Sequence, residues 1–291
     1  MGAKIAFATS SEFPNLTDDD RLAAQALAAH GLIVDPVLWD SPRLEWTSYA
    51  AVIIRSCWDY HYRPADFKAW LDRLEDQGVS LWNPAELVRW NMDKTYLSDL
   101  QQQGVRVLPS VWLARGARVQ LAHVMAEKGW EQVVVKPLIS AGAKQTVLIS
   151  RGDAPARQAE FAESLQQSSL IVQEFADEVQ ARGEWSFLFF GGQYSHAVLK
   201  QPHVEDFRVQ DHFGGTVQAA SPSAALIDQA GEILALLDAD LLYARVDAIE
   251  RNGSLYLMEL ELIEPCLYFE FHPQAPLRFA DALLNHLAVK E

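Results

Sequence analysis

The sequence predicts an α/β protein with two parts of different texture. In residues 1–88, short runs rich in β-branched residues alternate with amphipathic helical stretches, the pattern of a small parallel sheet. Beyond them, apolar runs are joined by Gly191–Gly192 and Asn252–Gly253. Such dipeptides close antiparallel hairpins, because both central residues accept positive φ.

The elements follow in order. Residues 3–9 (AKIAFAT) form a buried strand. Asp18–Asp20 then supply the N-cap and first-turn acids of a helix that Gly31 closes. Residues 32–39 and 51–56 are the next strands. Pro64 opens a helix at its first position, Gly78 ends it, and residues 80–83 add a short strand. One helix is expected over 87–104. Pro109 bends the strand 105–113 or places it at an edge. A helix over 121–129, two strands within 132–150, a helix near 155–167 and a strand over 170–179 come next. Residues 184–201 are a hairpin, 224–238 a helix, and 243–261 a second hairpin. A last amphipathic helix closes the chain.

Composition narrows the function. A length of 291 residues suits one large domain or two to three smaller ones. A formal net charge of −15 argues against nucleic acid as the main partner, since phosphate backbones need a basic footprint. No apolar run approaches the roughly 20 residues that span a bilayer, so no membrane partner is expected. The first residues lack the pattern of a signal peptide, which makes the cytoplasm the default. Cys57 and Cys266 match no metal spacing and read as reduced thiols.

Charges interrupt the apolar strands in a pattern of their own. Asp247, Glu259 and Glu261 fall on the two strands of the 243–261 hairpin. Residues 259 and 261 share a face because side chains alternate with period two, and the turn can bring 247 opposite them. Such oxygens suit Mg²⁺, which also takes phosphate oxygens and waters. Lys136 ends a run of three valines, where an ammonium needs an anionic partner. The loop 140–146 (SAGAKQT) has small side chains and could wrap phosphate oxygens with its N–H groups; it reads equally as a plain hairpin turn. Arg55, Trp58, Asp59 and Tyr60 follow a parallel strand at its C-terminal end, where open α/β sheets bind ligands. There Arg55 would clamp a substrate carboxylate and the aromatics would form walls. A surface loop with an Arg55–Asp59 pair is the plainer reading.

Taken together, Lys94, VVVKPL, SAGAKQT, IVQEF, GEWSF, Lys200, Arg208, ARVDAI and MELEL resemble the ATP-grasp superfamily of carboxylate–amine ligases, in its glutathione synthetase- and RimK-like branch. Within it, RSCWDYHYRP and MELELIEP are most similar to the D-cycloserine-forming cyclo-ligases, which close O-ureido-D-serine. The resemblance implies an α+β ATP-grasp fold. A substrate-contacting domain over 1–88 would precede two lobes gripping ATP, 89–175 with a phosphate lid and 176–291 with the metal-binding carboxylates.

It also implies roles. Lys94 and Lys136 would hold ATP phosphates under a lid that includes Ser140, Ala141 and Gly142. Gln173, Glu174, Phe175 and Ala176 would read adenine, and Glu184 the ribose hydroxyls. Asp247, Glu259 and Glu261 would bind Mg²⁺, two ions being expected and Mn²⁺ able to substitute. Arg245 would face an acyl-phosphate, with Arg208 and Lys200 on phosphate or substrate carboxylate. Many family members have Asn where this chain has Glu261. Glu264 inherits no role: it reads either as a contact for a substrate amine or as a solvated loop acid. The implied activity is ATP-dependent ligation of an amino-acid-like small molecule, through an acyl-phosphate that an amine of the same or a second molecule attacks. An intermolecular amino-acid or peptide ligase, a kinase and a non-catalytic ATP-binding protein are the alternatives, and a homodimer is the default assembly.

Overall fold

A computed structural model describes residues 2–142, 145–203, 206–209 and 213–288. Its N-terminal part is a parallel sheet of β1 (Lys4–Thr9), β2 (Ile33–Leu38), β3 (Ala51–Ile54) and β4 (Leu81–Trp82), in the order β2-β1-β3-β4. The central strands β1 and β3 are buried along nearly their whole length, which is why their sequences are apolar without alternation. Helix α1 (Asp18–Ala29) covers one face and α2 (Pro64–Asp76) the other. Thr17, not Asp18, caps α1: its hydroxyl accepts the Asp20 N–H at 3.0 Å. The acids follow in the first turn, where they favour the positive end of the helix dipole.

The expected helix over 87–104 is two, α3 (Ala85–Asn91) and α4 (Tyr96–Gln102). The side chain of Asp93 accepts the Thr95 N–H at 3.0 Å, a local turn that competes with helical continuation. The break sends Lys94 inward. Residues Tyr96, Leu97, Leu100 and Val107 pack into the core of the large C-terminal sheet.

Two antiparallel sheets complete the molecule. The smaller, ordered β5-β8-β6-β7, contains β5 (Ser110–Leu113), β6 (Gln132–Pro137), β7 (Val147–Ser150) and β8 (Leu170–Glu174). Strand β5 is indeed an edge, starting directly after Pro109. Helices α5 (Leu121–Lys128) and α6 (Ala154–Gln167) seal this sheet through Leu121, Met125, Phe161 and Leu165. A short α7 (Asp177–Ala181), which the reading of 170–179 as strand did not anticipate, follows β8.

The larger sheet, β11-β10-β9-β12-β13, is built by β9 (Glu184–Phe190), β10 (Gln193–Gln201), β11 (Thr216–Ala220), β12 (Tyr243–Arg251) and β13 (Ser254–Glu261). Both hairpin dipeptides turn where expected; β11 was not foreseen, because its half-exposed TVQAA carries little hydrophobic signal. Helix α8 (Ala224–Ala235) packs on this sheet's core. The last helix, α9 (Ala275–Ala288), lies against α1. Phe279 on α9 meets Phe7 of β1 and Phe190 of β9 at ring distances of 6.3 and 5.6 Å. One aromatic cluster thus joins the N-terminal sheet to the large C-terminal sheet.

Candidate active site

A cavity of about 710 Å³ opens among the three sheets. Its floor is the β12–β13 hairpin, and the register explains how charge reaches it. Arg245 lies opposite Glu261 and Asp247 opposite Glu259, but Ala248 lies opposite Leu257. Met258 is therefore an extra residue, a β-bulge, and it reverses the alternation. Leu255 and Leu257 on one side of it and Leu260 and Leu262 on the other all face the same core. Glu259 and Glu261 consequently turn to the cavity, with Met258 beside them.

Every carboxylate on the floor has a cation. Lys94, 5 % exposed, donates to Ser140 O at 2.9 Å and lies 3.0 Å from Glu259 Oε1. Arg245 makes a forked contact with Asp247, at 3.1 and 3.0 Å, and also reaches Glu261. Lys200 lies between Glu184 and Asp247, 3.4 Å from the latter. Ser186 donates its hydroxyl to Asp247. Such pairing is what makes burial of these charges tolerable.

The acids do not share one electrostatic state. Burial favours the neutral form of Asp247, but Arg245 and Lys200 outweigh it and hold the carboxyl below its ordinary range. Glu259 is lowered in the same way against burial, by Lys94 and Lys136. Glu261 is pushed up to about 7 by burial, with Asp247 and Glu259 adding repulsion that Arg245 only partly offsets. Lys136 is lowered, by burial first and then, among its neighbours, by the Lys94 charge. Among the described residues it forms no ion pair within 4.0 Å, so its ammonium has charge to offer a ligand.

The rest of the cavity is less polar. Val134, Phe175, Ala176, Val179, Met258 and Leu260 line an apolar slot between the two antiparallel sheets. Gln173 is buried and donates to Ser110 Oγ at 3.1 Å, while Glu174 lies 3.6 Å from Arg251. Glu184, expected near a ribose, lines the cavity while paired with Lys200. Ser140, Ala141 and Gly142 form the rim; Ala143 and Lys144 of the same expected lid lie outside the described residues. Arg208 also lines the cavity, paired with Asp206 at 2.7 Å and stacked 3.4 Å over Phe213.

Two expectations need correction. Arg55 does not reach the cavity. It is 2 % exposed, bound to Asp20 at 2.7 Å and to the Pro265 carbonyl at 2.8 Å, with its guanidinium 5.2 Å from the Tyr243 ring. Neither is it a surface partner of Asp59, which instead accepts from Trp39 and Arg63. Glu264 is not a solvated loop acid: it is 8 % exposed and lines the cavity. Trp58, Asp59 and Tyr60 do line it.

The segment 262–269 is held almost atom by atom. Asn83 and Asn91 bond Leu262, Tyr243 donates to Ile263 O, Trp58 to Glu264 O at 2.9 Å, Arg55 to Pro265 O and Arg245 to Cys266 O. Asp19 accepts the N–H groups of Leu267 and Phe269 at 2.9 and 2.7 Å. Two residues of the motif RSCWDYHYRP, Arg55 and Trp58, thus help to fix this loop. Sequence reasoning missed Asp19, Asn83 and Asn91, which lie far from the loop in sequence and carry no local signal. Glu12 and Phe13, from the loop after β1, also line the cavity and were not anticipated.

The donor set fits a hard cation in kind, since all three floor acids offer oxygen. Among the described residues no three acidic, histidine or cysteine side chains already close into a cage. Mg²⁺ needs only one or two carboxylates beside phosphate oxygens and waters. Glu259 and Glu261 keep 30 % and 29 % of their side chains exposed, against 3 % for Asp247.

Two antiparallel sheets closing on a cavity lined with lysines and carboxylates, behind a small parallel domain, define a class: nucleotide-dependent ligases of the ATP-grasp fold. Residues 101–274 match the family described as prokaryotic glutathione synthetase, ATP-grasp domain, and residues 5–83 that of the D-cycloserine synthetase DcsG N-terminal domain. The cycloserine biosynthesis protein DcsG of Streptomyces lavendulae is 32 % identical over 278 residues, covering 90 % of this chain and 92 % of the relative. The crystal structure of D-cycloserine synthetase DcsG superposes with a TM-score of 0.87 at 30 % identity, over 98 % of this chain and 99 % of that one. D-alanine–D-alanine ligase from Bacillus anthracis complexed with ATP shares the fold, with a TM-score of 0.70 at 13 % identity over 99 % and 98 % of the two chains. The chain belongs to the ATP-grasp ligase family that includes DcsG, and is an ATP-using enzyme that forms a C–N bond. No helix among the described residues is long and apolar enough to cross a membrane.

Proposed function

We propose that this enzyme activates the carboxylate of an amino-acid-like substrate with ATP and closes that same molecule into a ring, with O-ureido-D-serine or a near relative as substrate. One observation carries the reading: five cations, three floor carboxylates and an apolar slot converge on a single cavity. The similarity to DcsG along both parts of the chain supports ring closure over ligation of two molecules.

The residues divide the work. The slot around Phe175 and Met258 would take adenine, with Gln173, Glu174 and Ala176 at its edge and Glu184 toward the ribose. Lys94, Lys136 and the rim Ser140–Gly142 would take the phosphates. Glu259 and Glu261, backed by Asp247, would hold Mg²⁺, which neutralises phosphate charge; two ions are expected, and Mn²⁺ should substitute. The substrate carboxylate attacks the γ-phosphorus and ADP departs. A nitrogen then attacks the activated carbonyl, loses its proton and expels phosphate. Arg245 and Lys200 stabilise the charge that develops, and Arg208 closes the rim. No covalent bond to the protein is required. Trp58, Asp59 and Tyr60 form the substrate end. A homodimer in the cytoplasm completes the proposal.

The test is ATP-dependent phosphate release across a panel of amino acids headed by O-ureido-D-serine, followed by product mass. Ring closure consumes one amino acid and yields a lighter product. A product that joins two substrates would replace cyclisation with intermolecular ligation. ADP without free phosphate would mean a kinase, and ATP binding without turnover over the whole panel would mean a non-catalytic protein.

A further inference from the structure

Glu264 is the buried ionisable side chain that the proposed chemistry leaves unused. Its carboxyl lines the cavity and is 8 % exposed. Among the described residues it forms no ion pair. Apart from a hydrogen bond from its own backbone amide, it has no hydrogen-bond partner there. Burial, then the neighbouring Glu261, raises its pKa well above the ordinary carboxylate range. An acid in that position is costly unless a ligand answers it.

The surroundings indicate what kind of ligand. The backbone on either side is fixed: Tyr243 holds Ile263 O, Trp58 holds Glu264 O and Arg55 holds Pro265 O. The carboxyl is therefore presented by a rigid loop, as a recognition group needs to be. Trp58, packed edge-on against Phe13 at 4.9 Å, and Tyr60 line the same end of the cavity. Aromatic faces beside a carboxylate favour an organic cation. Two residues further along the loop, Cys266 O accepts from Arg245 of β12, the guanidinium assigned above to the charge that develops in the reaction. A guanidinium tied to this loop and a carboxyl carried by it thus line one cavity, the arrangement that fits a zwitterion.

We propose that Glu264 receives the α-ammonium of the substrate and so selects amino acids over their uncharged analogues, with Trp58 and Tyr60 walling the ammonium. The proposal rests on the amino-acid ligase reading and specifies which end of the substrate lies where. The ammonium is held and not consumed, so the nitrogen that attacks is a different one.

The experiment uses the full chain loaded with a non-hydrolysable ATP analogue and Mg²⁺. Calorimetry compares O-ureido-D-serine with its counterpart carrying a hydroxyl in place of the ammonium, for the wild-type protein, Glu264→Gln and Glu264→Asp. Wild type should bind the amino compound at least about tenfold more tightly than the hydroxy compound, equivalent to about 1.4 kcal/mol. Glu264→Gln should erase that preference while ATP affinity stays unchanged, and Glu264→Asp should regain part of it. No preference in wild type, no binding of either compound, or a preference that survives in Glu264→Gln overturns the proposal. Phosphate release is measured separately on the same proteins. Selective binding without release would sink the ligase reading and leave Glu264 standing; release with an unchanged preference in Glu264→Gln would do the reverse.

Discussion

Replacing Arg55 with methionine separates two views of the RSCWDYHYRP motif. If Arg55 clamps substrate, its loss weakens binding and leaves the fold intact. The structure says otherwise. The guanidinium is 2 % exposed, its partner Asp20 is equally buried, and the pair lies 2.7 Å apart. Burial would lower the pKa of Arg55, but Asp20 and then Tyr243 more than compensate, so the group stays charged at any working pH. Arg55→Met strands a buried carboxylate, and breaking such a pair costs about 3–5 kcal/mol. A chain of 291 residues unfolds with an entropy of roughly 0.6 kcal/mol per kelvin, so the thermal midpoint should fall by about 5–8 °C. The double variant Arg55→Met with Asp20→Asn should recover more than about 1 kcal/mol of that loss, because neither charge is then orphaned. Thermal unfolding of the wild type, both single variants and the double variant completes the cycle. A midpoint within about 1 °C of wild type for Arg55→Met, together with a large rise in substrate KM, would refute the structural assignment and restore the clamp.

Three further outcomes are expected. Asp247→Ala and Glu259→Ala should each abolish ATP-dependent phosphate release, and full turnover in either variant would overturn that residue's proposed metal-binding role. Lys136→Ala should raise the KM for ATP by about 10–150-fold, the equivalent of losing one charged hydrogen bond of about 1.5–3 kcal/mol, while the thermal midpoint holds or rises because no ion pair is broken. His196 supplies the pH dependence: burial, with the nearby His272, lowers its pKa to about 4 from an ordinary value of 6.5. The unfolded chain therefore binds more protons between those values. Stability from this residue is complete above pH 6.5 and falls by about 3 kcal/mol as pH drops to 4 and below. Denaturant unfolding at pH 7, 5.5 and 4.5 should show that slope in the wild type and a shallower one in His196→Asn; equal slopes would contradict it.

Much of the site was legible because its chemistry conflicts with its local setting. Lysine after three valines and acids on apolar strands are costly without partners; the structure gathers them in one cavity, where Lys94, Lys200 and Arg245 pair with the acids and Lys136, among the described residues, stays without an ion pair. Fold class was legible for a similar reason: hairpin dipeptides and strand–helix alternation are local. Strand β11 and the break at Met92–Thr95 were not, since a half-exposed strand and a single Asp turn leave weak traces. The bulge at Met258 did leave a sign, the shift of leucines from 255 and 257 to 260 and 262, which simple alternation overlooks.

What the sequence determined by itself is the set of charged groups and the elements that carry them, because strand periodicity, turn residues and the cost of buried charge act over a few neighbours. Tertiary structure decided which groups meet. Arg55 and Asp20 are 35 residues apart, Arg55 and Pro265 210 apart, and Asp19 and Phe269 250 apart. Packing of α1 on the N-terminal sheet brings the first pair together, and packing of that part against the large sheet and the loop 262–269 the other two. That packing turned an apparent substrate clamp into a loop support and, of the two readings open for Glu264, removed the solvated one by burying it at the cavity wall, since burial and pairing depend on the whole chain's path.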